Sequence, residues 1–300
     1  MTMPDPARPA STSLSLPTLA GLGAVLLWGL LALLTASTAG VPPFLLTALT
    51  FAIGGGLGLG VLALRGQLGR LRQPAGAWAL GVGGLFGYHA VYFAALKSAP
   101  PAEASLIAYL WPLLIVIFSG LLPGEKLGLR PVLGALAGFA GVVLLALAKG
   151  GADKGGIGTG AAIPWLGYGL ALACAFIWAG YSVLSRRFAE VPTEAVVGNC
   201  LVTALLAGLA HLALEPVGLP QGAGLWLAIL ALGLGPVGAA FFLWDIGMKK
   251  GDIRFLGTAS YAAPVISTLA LVAAGRAEAG WPLALACLLI VGGAVIARPR

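Results

Sequence analysis

Long apolar runs alternate with short polar breaks along the whole chain. Ten runs stand out, at approximately 18–38, 43–64, 75–96, 103–122, 131–149, 163–185, 193–214, 223–246, 255–274 and 280–297. An α-helix needs about 20 mostly apolar residues to cross about 30 Å of hydrocarbon, and these runs match that length. They are continuous, whereas the strands of a membrane barrel alternate over about ten residues. The pattern predicts an all-α polytopic membrane protein with ten transmembrane helices. Its connections are short, so neighbours in sequence should be antiparallel neighbours in space.

Composition removes the competing classes. The 300 residues are 59% hydrophobic and 9% charged, with a mean hydropathy of +1.00. An ordinary soluble domain carries about 25% charged residues, so a water-soluble fold is excluded. The apolar content excludes disorder, and three cysteines in 300 residues exclude a secreted disulfide scaffold. Cys174, Cys200 and Cys287 all fall inside apolar runs without metal-ligand spacing and read as small apolar fillers. No metal site and no cofactor is expected. Glycine is abundant: Gly54, Gly55, Gly56, Gly58 and Gly60 fall in the second run, Gly83 and Gly87 in the third, and Gly134 and Gly138 in the fifth. Small residues of this kind let lipid-embedded helices approach closely. None opens a phosphate-binding loop.

Residues 1–17, rich in Pro, Ser and Thr, read as a disordered cytoplasmic leader. Ala36, Ser37 and Ala39 follow the first run like a cleavage site. That run exceeds the 7–15 residues of a signal-peptide core, so a retained helix is expected. Lys and Arg in the short loops set orientation. With the N-terminus inside, the inner side carries Arg8, Arg65, Arg70, Arg72, Lys126, Arg130, Arg186, Arg187, Lys249, Lys250, Arg254, Arg298 and Arg300. The outer side carries only Lys97, Lys149, Lys154 and Arg276. Both termini are therefore expected in the cytoplasm, in a bacterial inner membrane. The net charge of +7 is explained by this placement; the phosphates it meets are lipid head groups, and no nucleic-acid partner is expected.

Sliding the chain on itself by about 150 residues brings features into coincidence. Trp28 meets Trp178, Val41-Pro42 meets Val191-Pro192, and Trp78 falls near Trp226. Lys97, Tyr109 and Pro112 meet Lys249, Tyr261 and Pro264 at one common offset, and Pro131 falls near Pro282. The shared order of residue types predicts an internal repeat, with five-helix units over 18–150 and 163–300 joined by an extracytoplasmic linker at 151–162. An odd number of helices per unit inverts the second relative to the first. Inverted repeats are a secondary-transporter architecture, with the substrate site near the midplane between halves.

Ten helices in two such units, with Trp28-Gly29 in the first helix and Tyr109-Leu110-Trp111-Pro112 in the fourth, resemble the drug/metabolite transporter superfamily. More narrowly the chain resembles its EamA-type exporters. The run Gly87-Tyr88-His89-Ala90-Val91-Tyr92-Phe93-Ala94-Ala95-Leu96, with Tyr109 and Trp111, is similar to members that export aromatic amino acids across bacterial inner membranes. The resemblance covers nearly everything after residue 17. It implies a carrier of amino acids and related amphipathic metabolites. Glu125 follows the fourth helix as the family pattern expects; Glu278 is displaced by one residue from the matching place, so only Glu125 is taken as a helix-end marker.

Candidate chemistry lies in the few polar and aromatic residues at depth. No Lys, Arg or acid falls well inside the runs; Asp245, Glu103 and Glu215 lie near or beyond their ends. Ion-coupled pumps keep an ionisable relay at depth, so sodium coupling is not expected, and proton coupling would rest on His89. An uncharged His89 imidazole can bond a substrate carboxylate or amine; its bland alternative is a bond to a neighbouring helix. Tyr88 and Tyr92 share a helical face with His89 at its shoulder. Tyr109 and Trp111 on the fourth helix, Trp178 and Ser182 on the sixth, Trp28 on the first and Tyr261 on the ninth lie nearer mid-span than an interfacial belt would put them. They are the candidate cavity lining, against plain helix packing. Trp78, Trp165, Trp226 and Trp281 sit at helix starts and fit the belt. Asn199, placed mid-helix, suits helix–helix hydrogen bonding first and substrate contact second. Pro112 and Pro264 each remove a backbone bond, which predicts kinks and free carbonyls at Ala108 and Ser260.

The predicted partners are a small-molecule substrate, aromatic or otherwise neutral amino acids foremost, and membrane lipid. The architecture works as a monomer, and the sequence fixes no oligomeric state. Two other functions compete. A carrier of nucleotide sugars would need cavity Lys or Arg, whereas a carrier of cationic drugs could use ring faces alone. An intramembrane enzyme would need a nucleophile–base pair or a metal cluster, and no catalytic set is present.

Overall fold

The computed structural model describes residues 14–124, 127–150, 165–275 and 280–297. Part of the leader, Glu125, Lys126, the linker, Arg276, Glu278 and the terminal arginines lie outside them. Among the described residues there is no strand. Eight helices are long and apolar enough to cross a membrane: α1 (Leu16–Thr38), α2 (Pro43–Leu64), α3 (Ala75–Ser98), α5 (Leu129–Ala148), α6 (Trp165–Phe188), α7 (Ala195–Leu214), α8 (Ala223–Lys250) and α9 (Ile253–Ala273). Two shorter apolar helices, α4 (Glu103–Ser119) and α10 (Trp281–Ala297), complete the order. The fold is that of an all-helical polytopic membrane protein. Its outward faces are rich in bare leucines such as Leu64, Leu147 and Leu288, as expected where the solvent is hydrocarbon.

Two kinds of irregularity recur at matched places. Both α4 and α9 are broken midway. The first becomes Pro101–Ala108 and Trp111–Ser119, the second Ile253–Ala259 and Ala262–Ala273. Pro112 and Pro264 follow the breaks closely, as a ring without an N–H requires. Two of the groups at these breaks are nonetheless partnered. The Ser260 carbonyl, expected to be free, accepts the Ala263 N–H at 3.1 Å, because the chain tightens into a short turn before the helix resumes. The Leu113 N–H, left without its helical partner, donates to the Tyr261 hydroxyl at 3.1 Å. Second, α3 and α8 each widen into a single π turn, over Gly83–Gly87 and Gly235–Ala239.

Helix pairing follows one rule. α2 packs on α7 and α5 on α10; α1 packs on the Ala240–Lys250 half of α8 and α6 on the Tyr88–Ser98 half of α3; α1 also packs on α9 and α6 on α4. Exchanging each helix with the one five places along converts this set into itself. Close crossings depend on missing side chains. At the α5–α10 crossing a Cβ on Gly134 would lie 2.4 Å from the Gly293 carbonyl oxygen.

The pairing is less even at the two ends of α4 and α9. Ile253–Ala259 packs firmly on Trp111–Ser119, and nearly every residue in it is buried. The matched segments at the opposite end, Pro101–Ala108 and Ala262–Ala273, make at most isolated contacts, and Pro101 and Glu103 are exposed. Among the described residues α4 and α9 therefore meet at the end that carries Arg65, Arg70, Lys249 and Lys250, the basic end, and part at the other.

Candidate substrate site

Four tryptophans from four helices meet in the middle of the bundle. Trp28 (α1), Trp111 (α4), Trp178 (α6) and Trp244 (α8) each touch the other three, with ring centroids 5.0–6.4 Å apart. Most pairs are edge-to-face, the arrangement the ring quadrupoles prefer. Trp111, Trp178 and Trp244 are buried, and Trp28 is half-buried. Polar edges fix two of the rings. The Trp28 indole N–H donates to the Pro236 carbonyl in the α8 π turn at 3.1 Å. The Trp244 indole N–H donates to the Ser182 hydroxyl, also at 3.1 Å. Ser182 is wholly buried beneath the cluster.

A half-buried wall adjoins this floor. Tyr88 lies 5.3 Å from Trp178, and Tyr92 stacks on Tyr88 at 5.9 Å. Tyr92 shares a 2.8 Å hydrogen bond with Ser105 of α4. His89 follows the α3 π turn, with Phe51 of α2 edge-on to its ring at 5.3 Å. Its Nδ1 lies 2.7 Å from the Leu85 carbonyl. A carbonyl only accepts, so Nδ1 carries the proton, and Nε2 of the neutral ring is left as an acceptor. The sequence left open whether His89 donates or accepts; this bond selects acceptance.

Other expected site residues lie wholly or partly elsewhere. Tyr261 is fully buried against Gly138 and Phe139 of α5, its hydroxyl committed to Leu113. Tyr109 belongs to both places: half-buried, it packs on that second cluster and lies close enough to Tyr88 and Tyr92 of the wall to interact with them electrostatically. Asn199 is the fifth residue of α7 rather than mid-helix; it accepts from the Gln73 amide at 2.9 Å. It lines a cleft of about 20 Å³ near the basic end, together with Tyr181, Ser185, Asp245 and Lys249. Asp245 is deeper than expected because α8 continues to Lys250, leaving the acid buried and paired with Lys249 at 2.9 Å. Glu215 is also buried, 3.0 Å from His211, and caps the start of α2 by accepting the Phe44 and Leu45 amides at 2.9 and 3.2 Å.

Trp244, Phe241 and Phe51 were not anticipated. Phe241 stacks on Phe51 at 5.3 Å and lies 5.9 Å from Trp178. The repeat held a signal for two of them. The offset that matches Lys97 with Lys249 also matches Tyr92 with Trp244 and His89 with Phe241. No comparable signal marks Phe51. Among the described residues no group of three or more His, Cys, Asp and Glu could hold a metal.

Known proteins resemble this chain in fold and in sequence. A solved crystal structure superposes with a TM-score of 0.88 at 58% identity, covering 95% of this chain and 98% of its own. The aromatic amino acid exporter YddG of Ancylobacter novellus is 59% identical over 287 residues, 95% of this chain and 98% of its own length. The proteins of that name from Salmonella typhimurium and Escherichia coli are 29% and 26% identical, over 84% and 93% of this chain and 86% and 95% of their own lengths. These relatives are transporters, and the enzyme reading falls with them. The model of the EamA-like transporter family matches twice, over residues 16–147 and 165–298, and the chain belongs to that family.

Proposed function

We propose that this transporter exports aromatic amino acids and related amphipathic metabolites by alternating access across a bacterial inner membrane. The observation that carries the reading is the floor of four mutually touching tryptophans beneath a wall of Tyr88, His89 and Tyr92, beside the end where α4 and α9 part. Ring faces and edges offer an aromatic side chain the contacts they offer each other. The His89 Nε2 lone pair takes the substrate ammonium, and the Tyr92 and Tyr109 hydroxyls orient the carboxylate. A relative 59% identical over nearly the whole chain carries the name of an aromatic amino acid exporter, which supports the substrate class.

The architecture we propose is ten spans in two inverted five-helix repeats, with the basic end and both termini in the cytoplasm. The exchange of helix pairs five places apart supports the two-fold relation, and the double family match runs over the two units. The shut basic end then makes this an outward-open state. Pro112 and Pro264 mark the points where the halves of α4 and α9 swing. A second reading, export of cationic drugs, draws on the same ring faces.

Uptake into proteoliposomes of phenylalanine, threonine and methyl viologen separates the two. Phenylalanine should move fastest, and His89→Ala should slow it while sparing methyl viologen. No phenylalanine uptake by well-folded protein would overturn the amino-acid reading; methyl viologen alone would replace it with the cationic one.

A further inference from the structure

The basic end is held shut by a small set of bonds between the end of α8 and the α6–α7 segment, and among the described residues the repeat-matched end of α3 makes no such set. Asp245 and Lys249 sit one turn apart on the last stretch of α8, paired at 2.9 Å and almost wholly buried. Each also reaches across to the segment joining α6 and α7. The Lys249 ammonium donates to the Val191 carbonyl at 2.9 Å, and the Thr193 hydroxyl donates to the second Asp245 carboxylate oxygen at 2.7 Å. Arg186, at the end of α6, adds a bond to the Met248 carbonyl at 2.9 Å. Behind these bonds lies the cleft that Asn199 and Tyr181 line, and Tyr181 is 5.3 Å from Trp178 in the tryptophan floor.

The repeat supplies an internal control. Val41-Pro42 matches Val191-Pro192, and Lys97 matches Lys249, but Phe93 stands where Asp245 would be. Lys97 is exposed. The end of α8 packs on the turn at Ser185–Phe188, whereas the end of α3 makes at most isolated contacts with the turn at Ala36–Thr38. Among the described residues the end of α8 thus has both the acid and the contact, and the matched end of α3 has neither.

We propose that Asp245 and Lys249 form a latch that holds the end of α8 on the α6–α7 segment and keeps the basic end closed. The inference rests on the alternating-access reading above, and on nothing about which substrate is carried. An ion pair within one helix suits a reversible latch. When α8 swings away, the bonds to Val191 and Thr193 break, together with those of Arg186 to the Met248 and Gly251 carbonyls. The two charges stay together on α8, so neither is left buried and uncompensated, the circumstance that makes breaking a buried pair so costly.

Thiol labelling of purified protein in detergent tests this without substrate. Ala77, buried in the wall of the cleft on α3, is replaced by Cys in a chain whose three native cysteines are Ser or Ala. A bulky hydrophilic maleimide should react slowly with the parent. Thr193→Val removes the bond to Asp245 without touching a charge and should speed labelling several-fold. The exchange Asp245→Lys with Lys249→Asp is the sharper variant. It preserves the ion pair, yet an acid at position 249 has no proton to give the Val191 carbonyl. A latch predicts that the exchange labels as fast as Thr193→Val or faster. A purely structural ion pair predicts that it labels like the parent, and that result would overturn the proposal. Should the exchange fail to give monodisperse protein, Thr193→Val decides alone: a rate equal to the parent's rejects the latch. Loss of phenylalanine transport with labelling behaving as expected would instead count against the substrate reading only.

Discussion

Two tyrosines at matched positions in the repeat have been given different work. The Tyr261 hydroxyl is buried and accepts the Leu113 amide, one of the donors that the break in α4 exposes. Nothing else among the described residues replaces that bond, and a buried amide without an acceptor costs about 1–3 kcal/mol. Tyr261→Phe should therefore lower the melting temperature in detergent by several degrees, while the phenylalanine transport rate stays within about twofold of the parent's in protein that remains folded. Tyr109→Phe should do the reverse, slowing transport with little change in melting temperature, since no hydrogen bond of its hydroxyl is seen among the described residues. A stability loss for Tyr109→Phe alone would reverse the assignment. This division could not be read from the sequence. Both tyrosines precede a proline by three residues inside an apolar run, and only the packing of α5 against α9 decides which ring is enclosed. Trp28, Trp178 and His89 were legible because a polar-edged ring deep in an apolar run has few other reasons to be there. Ser182 was legible as a polar residue but not as the acceptor of the Trp244 indole N–H, because Trp244 sits two helices away.

At the scale of the helix, hydropathy located the eight long apolar helices and the two shorter ones to within a few residues, since burying a backbone in hydrocarbon forces long continuous helices. The breaks in α4 and α9 were legible through Pro112 and Pro264. The π turns in α3 and α8 were not, because adding one residue to a turn changes backbone register without demanding any side chain. The glycines were legible as a class and not one by one. Gly134 is indispensable where α5 crosses α10: a Cβ there would sit 2.4 Å from the Gly293 oxygen, which is backbone and cannot rotate away. Gly56 of α2 has nothing within 4 Å of the same point. Gly134→Val should prise the crossing apart and cost about 1–3 kcal/mol, the range typical of overpacking, read as early aggregation on heating. Gly56→Ala should be silent or slightly stabilising, because alanine is the better helix former by about 1 kcal/mol. Equal melting curves for the two variants would mean that α5 and α10 do not approach as closely as described.

For the whole molecule the open question is what drives transport, and the placement of its acids bears on it. A proton-coupled carrier needs a group that gains a proton in one state and loses it in the other, in contact with the substrate path. The two acids buried among the described residues do not meet that description. Glu215 faces His211 and two backbone amides at the start of α2. Asp245 keeps its Lys249 partner on the same helix wherever α8 moves. His89 lies on the proposed path, but its Nδ1 proton is committed to Leu85, which in that proposal leaves Nε2 to bind an ammonium rather than to carry a proton across. Phenylalanine is a zwitterion without net charge, so neither membrane potential nor pH gradient acts on it directly. Transport should then follow the substrate gradient alone. In proteoliposomes loaded with excess unlabelled phenylalanine, exchange of labelled substrate should run at the same initial rate, within about twofold, with or without an imposed pH difference. Acceleration well beyond that, abolished by a protonophore, would mean that a proton travels with the substrate. The group carrying it would then be sought first at His89, and His89→Gln, which retains an acceptor but cannot titrate, should remove the acceleration while leaving exchange intact.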